Sequence, residues 1–547
     1  MAYQRSRLKS SLPRQVTLGE QRRPRAPRPE DEQPSHLSPL VSPSLDEQAI
    51  RDRVATRTVA SKRRIQRRVT PLEVLQKPFQ ASVRKVFDLR RFLLVLALTG
   101  GALLLPQPAG LSDQGFRAFA LAIFTASILI LEPAPLPIAS LLVPVAQIAL
   151  GIDIVVGAFG PFSNPVVFLI LGSLFLAEAL RKHGLTRRLA LYAIAYSGGQ
   201  FHWLLLALML MTGLLSMWVL NTAVVAVLIP VAISIAQQVK SEEHSGTVLK
   251  VLVLGIAYAA SIGAMATPLG GAEIAIAVGL LSAVHPFGFL EWMKFGLPLA
   301  LVILPLTWFL MLKATRVPNL SMDTNQVFVE LQRTGNLRNV EKEILLVLLL
   351  SVTLWVGGPS IESFFGLPAT LLSSAVVAIA AVVMMSIEEI VNWDDLKGVN
   401  WGVFFVIGAG LTLGDALDKT GASAWLAQLL APVLQGLPYA LILSVLVPTI
   451  YVLTQFTNSV TWAAILTPML ITLGEVSGIG SVRLVVPMTL TLAFCFLLPI
   501  SSARMTLVSV TGAVPKKDMF RIGLIVGFPA AVVVWLFFLL MGWLGVI

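Results

Sequence analysis

The sequence predicts an all-α polytopic membrane protein built as an inverted repeat, and three observations lead there. Hydrophobic residues make up 56% of the 547 and charged residues only 13%, against about 25% charged in soluble chains; the mean hydropathy is +0.80. Many apolar stretches reach the ~20 residues that a bilayer-crossing helix needs. Two such stretches, 237 residues apart, carry the same polar marks. The one cysteine, Cys495, excludes a disulfide framework and a thiolate metal site. No Gly-rich run ends in the Lys-Ser or Lys-Thr of a phosphate loop, so no nucleotide-driven motor is expected.

The chain opens on a tail, 1–88, that is too polar to bury a core. Residues 1–91 hold 21 Lys and Arg against 9 Asp and Glu, while the rest hold 20 against 21, so the tail supplies the whole net charge of +11. Such a segment reads as a disordered cytoplasmic extension, with Lys62, Arg63, Arg64, Arg67 and Arg68 suited to anionic lipid. Nucleic-acid binding is not expected of an arm tied to a membrane body. In the first membrane repeat, 89–314, spans are expected near 92–109, 115–132, 134–152 and 164–181. A block at 202–237 follows, interrupted by Asn221-Thr222, then a Gly/Pro-broken span, 249–283, and a span at 294–314. A polar linker, 315–342, precedes the second repeat, 343–547. There, spans near 343–358, 366–386 and 400–417 lead to a second interrupted block, 434–474. A second broken span, 485–513, and a last span, 521–546, end the chain. The total is about eleven transmembrane helices.

Cytoplasmic loops carry excess Lys and Arg. With the tail inside, Arg181, Lys182, Arg187 and Arg188 also fall inside. Arg333, Arg338, Lys516, Lys517 and Arg521 follow only if 202–237 and 434–474 enter and return as re-entrant hairpins. The repeat itself is legible. Residues 166–184 and 403–421 align without gaps with nine identities in nineteen, and the same offset carries Asn221-Thr222 onto Asn458-Ser459. After a six-residue loss, Pro268 meets Pro499, and Gly270-Gly271-Ala272-Glu273 meets Ser501-Ser502-Ala503-Arg504. The copies face opposite ways across the membrane, as in many secondary transporters.

Irregular backbone at membrane depth survives only where protein or a wet cavity receives its free N–H and C=O groups. Half-helix N-termini offer amides to an anion, and exposed carbonyls can hold a cation. Taken singly, Asn, Ser and Thr in such helices simply bond to neighbouring helices; as symmetric pairs, each followed by a break, they point to a site.

These motifs resemble the divalent anion/sodium symporter family over residues 90–547. The family's mark is a Ser-Asn-Thr triplet at each of two hairpin tips. Ser163-Asn164-Pro165-Val166 running into Glu178-Ala179-Leu180 is also typical, as is the stretch Gly255 to Gly263. Here the triplets read Leu220-Asn221-Thr222 and Thr457-Asn458-Ser459. The usual Thr-Pro-Pro-Asn after each break is replaced by the stretches ending in Glu273 and Arg504. The resemblance implies secondary transport of a dicarboxylate, citrate or sulfate, coupled to Na⁺ or H⁺. It further implies a homodimer, and an elevator-type transport domain (202–314 and 434–547) moving against a scaffold (92–181 and 343–418). Substrate contacts are expected from Asn221, Thr222, Thr267, Asn458, Ser459, Ser501, Ser502 and Arg504. Coupling-ion contacts are expected from Ser216, Asn221, Gly263, Glu273, Thr454, Asn458 and Pro499. No cofactor is expected beyond sodium ions, and no metal cluster.

Glu273 and Arg504 leave two readings open: a mutual ion pair stapling the broken helices, slightly preferred, or Arg504 on the anion with Glu273 as a proton or cation site. The setting expected is a bacterial-type inner or plasma membrane with the N-terminus cytoplasmic. The alternative function is a cation/proton antiporter or metalloid-anion efflux permease of the same superfold. An enzyme is disfavoured because the membrane body shows no nucleophile–base or metal cluster: His183, His202, His244 and His285 are all peripheral.

Overall fold

The computed structural model of the chain describes residues 87–546, apart from 240–241, 316, 318–319, 321–324, 398 and 400. The basic tail expected over 1–88 therefore lies almost wholly outside the described residues, as does part of the linker 315–342. All regular structure described is helical.

The series begins with α1 (Leu89–Leu103), whose first N–H groups are received by the Asp88 carboxylate at 3.1 and 3.3 Å. Then come α2 (Asp113–Leu131), capped by Ser112, and the short α3 (Leu136–Ala149). The expected span 164–181 is a bent pair: a short α4 (Val155–Phe159) and a 3₁₀ turn (Gly160–Ser163) meet α5 (Pro165–Lys182) at 47°. The bend falls at Asn164-Pro165, where proline suits a first helical position and Asn164 Oδ1 accepts from Val166 N at 2.9 Å.

A helix that the hydropathy reading missed, α6 (Leu185–Tyr196), starts after Gly184. Next are α7 (Phe201–Trp218) and α8 (Asn221–Gln237), which form the first hairpin. The first broken span is α9 (Glu242–Ala264) and α10 (Ala272–Val284), and α11 (Phe289–Thr315) follows. The linker includes α12 (Asn325–Thr334).

The second half starts with α13 (Asn339–Phe365), α14 (Ser374–Ile387) and a short α15 (Trp393–Lys397). It then restates the first: α16 (Gly402–Lys419), α17 (Ala422–Leu434), and the hairpin α18 (Tyr439–Phe456) with α19 (Ser459–Ser477). The broken span is α20 (Ser481–Leu492) with α21 (Ala503–Val510), and α22 (Lys516–Trp543) closes the chain. Helix starts recur at the offset read from sequence. Gly184 and Gly421 fall at equivalent turns and both adopt left-handed backbone, φ 74° and 73°, which glycine tolerates without a Cβ clash.

Among the described residues, eight helices are long and apolar enough to cross a bilayer, or nine with the bent pair. That count includes hairpin legs α7, α18 and α19 and omits spans assembled from shorter pieces. The tip of the first hairpin meets the middle of its broken span rather than the far surface: Asn221 N donates to Gly270 O at 3.3 Å. With both hairpins returning, five crossings (α5, α9–α10, α11, α13 and α14) separate the start of α5 from that of α16. An odd number leaves the two copies antiparallel.

The packing is that of a protein in lipid. Leu93, Leu349 and Leu536 present apolar surface outward, while the broken spans are buried, with the rings of Tyr258 and Phe496 4.3 Å apart between them. One basic residue read as a topology marker is instead internal. Arg188 on α6 is 2% exposed and bonds Glu341 of α13 at 2.7 Å. Lys182, another such marker, holds Asp395 of α15 at 2.5 Å.

Candidate functional site

The site grows from two breaks, each held open by a different device. At the first, α9 stops at Ala264 and the chain doubles back so tightly that a Cβ on Gly270 would lie 2.3 Å from Ala264 Cα. Trp292 on α11 donates its indole N–H to Met265 O at 2.9 Å. The Thr267 hydroxyl donates to Met217 O near the end of α7, tying the break to the hairpin.

At the second break a single side chain does most of this. Gln455, near the end of α18, donates from Nε2 to Tyr451 O (2.8 Å) and Phe494 O (2.9 Å). Its Oε1 accepts from Phe496 N and Leu497 N, both at 3.1 Å. The Leu497 N–H, which would otherwise be orphaned away from water, is thereby paired, and the short Phe496 N–H to Phe494 O contact is reinforced from both sides. Sequence reading passed over Gln455, although a buried amide in an apolar block just before a Thr-Asn-Ser tip was the available signal.

Both hairpin tips and both post-break helix starts open onto one cavity of about 210 Å³. Asn221, Thr222, Asn458 and Ser459 reach it from the tips; Glu273, Ser502 and Arg504 reach it from the first turns of α10 and α21. The opposite wall is apolar, from Leu136 and Pro137 of α3 and Val403 and Val406 of α16. The tips are related but not identical. Asn458 caps α19, its Oδ1 accepting from Val460 N at 3.1 Å, whereas Asn221 sits inside α8 and accepts from its neighbour Thr222 at 3.2 Å. Ser502 caps α21, accepting from Met505 N at 3.3 Å.

Other expected contacts lie behind this wall. Thr267 and Ser501 are fully buried, and Ser501 donates back to Cys495 O and Leu498 O at 3.0 and 2.6 Å. Thr454 donates to Leu492 O at 3.2 Å, and Pro499 O accepts from Thr506 at 2.8 Å. Ser216 is buried without a hydrogen-bond partner among the described residues. Gly263 is a packing residue: a Cβ there would stand 2.1 Å from Gly213 O, so α7 and α9 touch through paired glycines.

The ion pair between Glu273 and Arg504 does not form, because Arg504 turns elsewhere: its Nη2 donates to Cys495 Sγ at 3.2 Å. Its other guanidinium N–H groups meet no acceptor among the described residues. Glu273, 4% exposed, has neither a hydrogen bond nor an ion pair among them. Cys495, set aside at the sequence level, thus underlies the site arginine. A second cavity, about 420 Å³, lies at the other end of α16, beside Asp415, Asp418 and Lys419 and against Gly279–Val284 of α10. There Lys419 bonds Asp415 at 2.7 Å and Asp153 at 3.3 Å.

Residues 88–547 match the sodium:sulfate symporter transmembrane region. The chain belongs to this family. Among its relatives is an uncharacterized transporter of Haemophilus influenzae, 30% identical over 419 residues, covering 76% of this chain and 89% of the relative. A sodium-dependent dicarboxylate transporter, SdcS, of Staphylococcus saprophyticus is 28% identical, covering 79% of this chain and 87% of its own. SdcS of Staphylococcus aureus is 27% identical over 84% and 91% respectively. This member of the symporter family is therefore a multi-pass integral membrane transporter, not an enzyme.

Proposed function

We propose that this chain is a secondary active symporter of small di- or trivalent anions of the dicarboxylate, citrate or sulfate class. Arg504 is the anion's anchor: a planar fork with free donors suits a carboxylate or sulfate, and the low-dielectric wall strengthens each charge-assisted bond. The Asn221 and Asn458 tips and the N-terminal turns of α10 and α21 complete the cradle with amide donors and positive dipole ends. The convergence of both tips and both breaks on one cavity carries this reading, and the names of the SdcS relatives support its substrate class. Na⁺ or H⁺ supplies the driving gradient.

Movement follows the same geometry. The two cavities lie at opposite ends of α16, and α10 touches both, so a body carrying the hairpins and broken spans (202–314 and 434–547) would pass the anion from one end to the other. The scaffold is 92–181 and 343–418. Their contact is close and smooth: a Cβ on Gly410 would meet Ile276 at 2.9 Å, and one on Gly414 would meet Leu280 at 2.8 Å. In this account the protein is a homodimer in a bacterial-type inner or plasma membrane, with its N-terminus in the cytoplasm. Uptake of labelled succinate, citrate and sulfate into proteoliposomes, with and without a Na⁺ gradient, tests it. Asn221→Ala and Asn458→Ala should each abolish uptake in protein that still inserts; near-normal uptake by both would remove the tips from the site.

A further inference from the structure

Two charges face the anion cavity, and they do not neutralise each other. Among the described residues, Arg504 is engaged only by Cys495 Sγ, while Glu273, on the first turn of α10, carries an unpartnered carboxyl that is more than nine-tenths buried. An anion seated on Arg504 shares a space of about 210 Å³ with that carboxyl. A second negative charge brought this near disfavours the carboxylate form and favours the acid. We infer that Glu273 takes up one proton from the aqueous side to which the cavity is open as the anion enters, and returns it when the anion leaves, so that anion and proton travel together. This rests on the reading of the cavity as the anion site.

The step is balanced: a carboxylate and a proton give a carboxylic acid, whose O–H can then donate to the bound anion. A sodium ion in the proton's place would share the cavity with the like-charged Arg504 guanidinium. The remaining titratable and charged groups on elements packed against α10 do not line the cavity. On α19, Glu475 is held by His285 at 2.9 Å; α16 carries the Asp415, Asp418 and Lys419 cluster at its far end. On α5, Glu178 is bonded to Arg181 and Lys182 to Asp395, and Arg483 of α20 lies over the Tyr439 ring. The groups that do face Glu273 are Arg504 and the Cys495 thiol, on which both charges act.

The test is calorimetric titration of the purified full-length protein with succinate and with sulfate. Buffers of differing ionisation enthalpy, in choline and in sodium salts, reveal protons taken up on binding. The wild type should take up about one proton per anion, and over the pH range where that proton is taken up its affinity should fall about tenfold per pH unit. Glu273→Gln should bind without proton uptake and without that pH dependence; Glu273→Asp should restore both. Binding by the wild type with no proton uptake, or an undiminished proton count in Glu273→Gln, overturns the inference. So does sodium-dependent binding that Glu273→Gln abolishes while the wild type takes up no proton. Failure of the cavity reading looks different: Arg504→Ala and Asn458→Ala would bind as tightly as the wild type.

Discussion

The starts of α10 and α21 are the same structural position written twice, and their comparison separates what the repeat dictates from what single residues decide. Both follow a break, both present a first turn to one cavity, and both stand beside an Asn at a hairpin tip. Yet one turn carries Glu273 and the other Arg504, and the supports differ: glycine back-packing and an indole at the first break, four bonds from one glutamine at the second. Duplicated packing fixes where the functional groups go. The charge that each copy delivers is free to diverge, because the cavity, not the partner helix, receives it.

The first way to sharpen this comparison lies at α6 and α17. At equivalent positions, α6 has Arg188, paired in the interior with Glu341, and α17 has Trp425, which donates to Ala109 O at 3.1 Å. Glu341→Ala would strand Arg188 and should cost about 3–5 kcal/mol, whereas Trp425→Phe should cost about 1 kcal/mol; thermal unfolding in detergent compares them. At the second break, Gln455→Leu leaves the Leu497 N–H unpaired and leaves Phe496 N–H and Phe494 O with only their bond to each other, and should destabilise by about 2–3 kcal/mol. At the first, Trp292→Phe loses one bond of the several that hold that break, for about 1 kcal/mol. Equal losses at the two breaks would mean that Gln455 is not the organiser described.

The repeat, the interrupted hairpins, both breaks and the Glu/Arg divergence were legible because they are local patterns read against a fixed offset. Six of the eight expected substrate contacts line the cavity, since a hairpin tip and a post-break turn are surface-forming wherever the chain puts them. What escaped were partners distant in sequence. Gln455 reaches residues 39 to 42 positions on, and Arg188 bonds a residue 153 away. The helices α6 and α17, of 12 and 13 residues, are too polar or too short for a hydropathy window. The preferred Glu273–Arg504 pair was inferred from symmetry alone, which says nothing about the thiol at Cys495 that takes up the guanidinium.

The smallest expected effect concerns pH at the α5–α15 contact, outside the spans. Hydrogen bonding from Lys182 holds the Asp395 carboxyl below its ordinary range. A carboxyl depressed in the folded state contributes stability that is fully present above its unfolded value, near 4, and is lost as pH falls through the folded one. Wild type should therefore lose slightly more stability below about pH 4 than Asp395→Asn, which lacks the titrating group.

The central claim is that Arg504 binds the anion in a cavity shared by both halves. Its most direct test is the half-saturation concentration for succinate and sulfate uptake by Arg504→Ala and Arg504→Lys in proteoliposomes, at matched protein insertion. Loss of a desolvated charge-assisted bond should raise it by about ten- to a hundredfold in Arg504→Ala, with only partial recovery in Arg504→Lys, whose ammonium lacks the planar fork. Half-saturation unchanged in Arg504→Ala would contradict the claim.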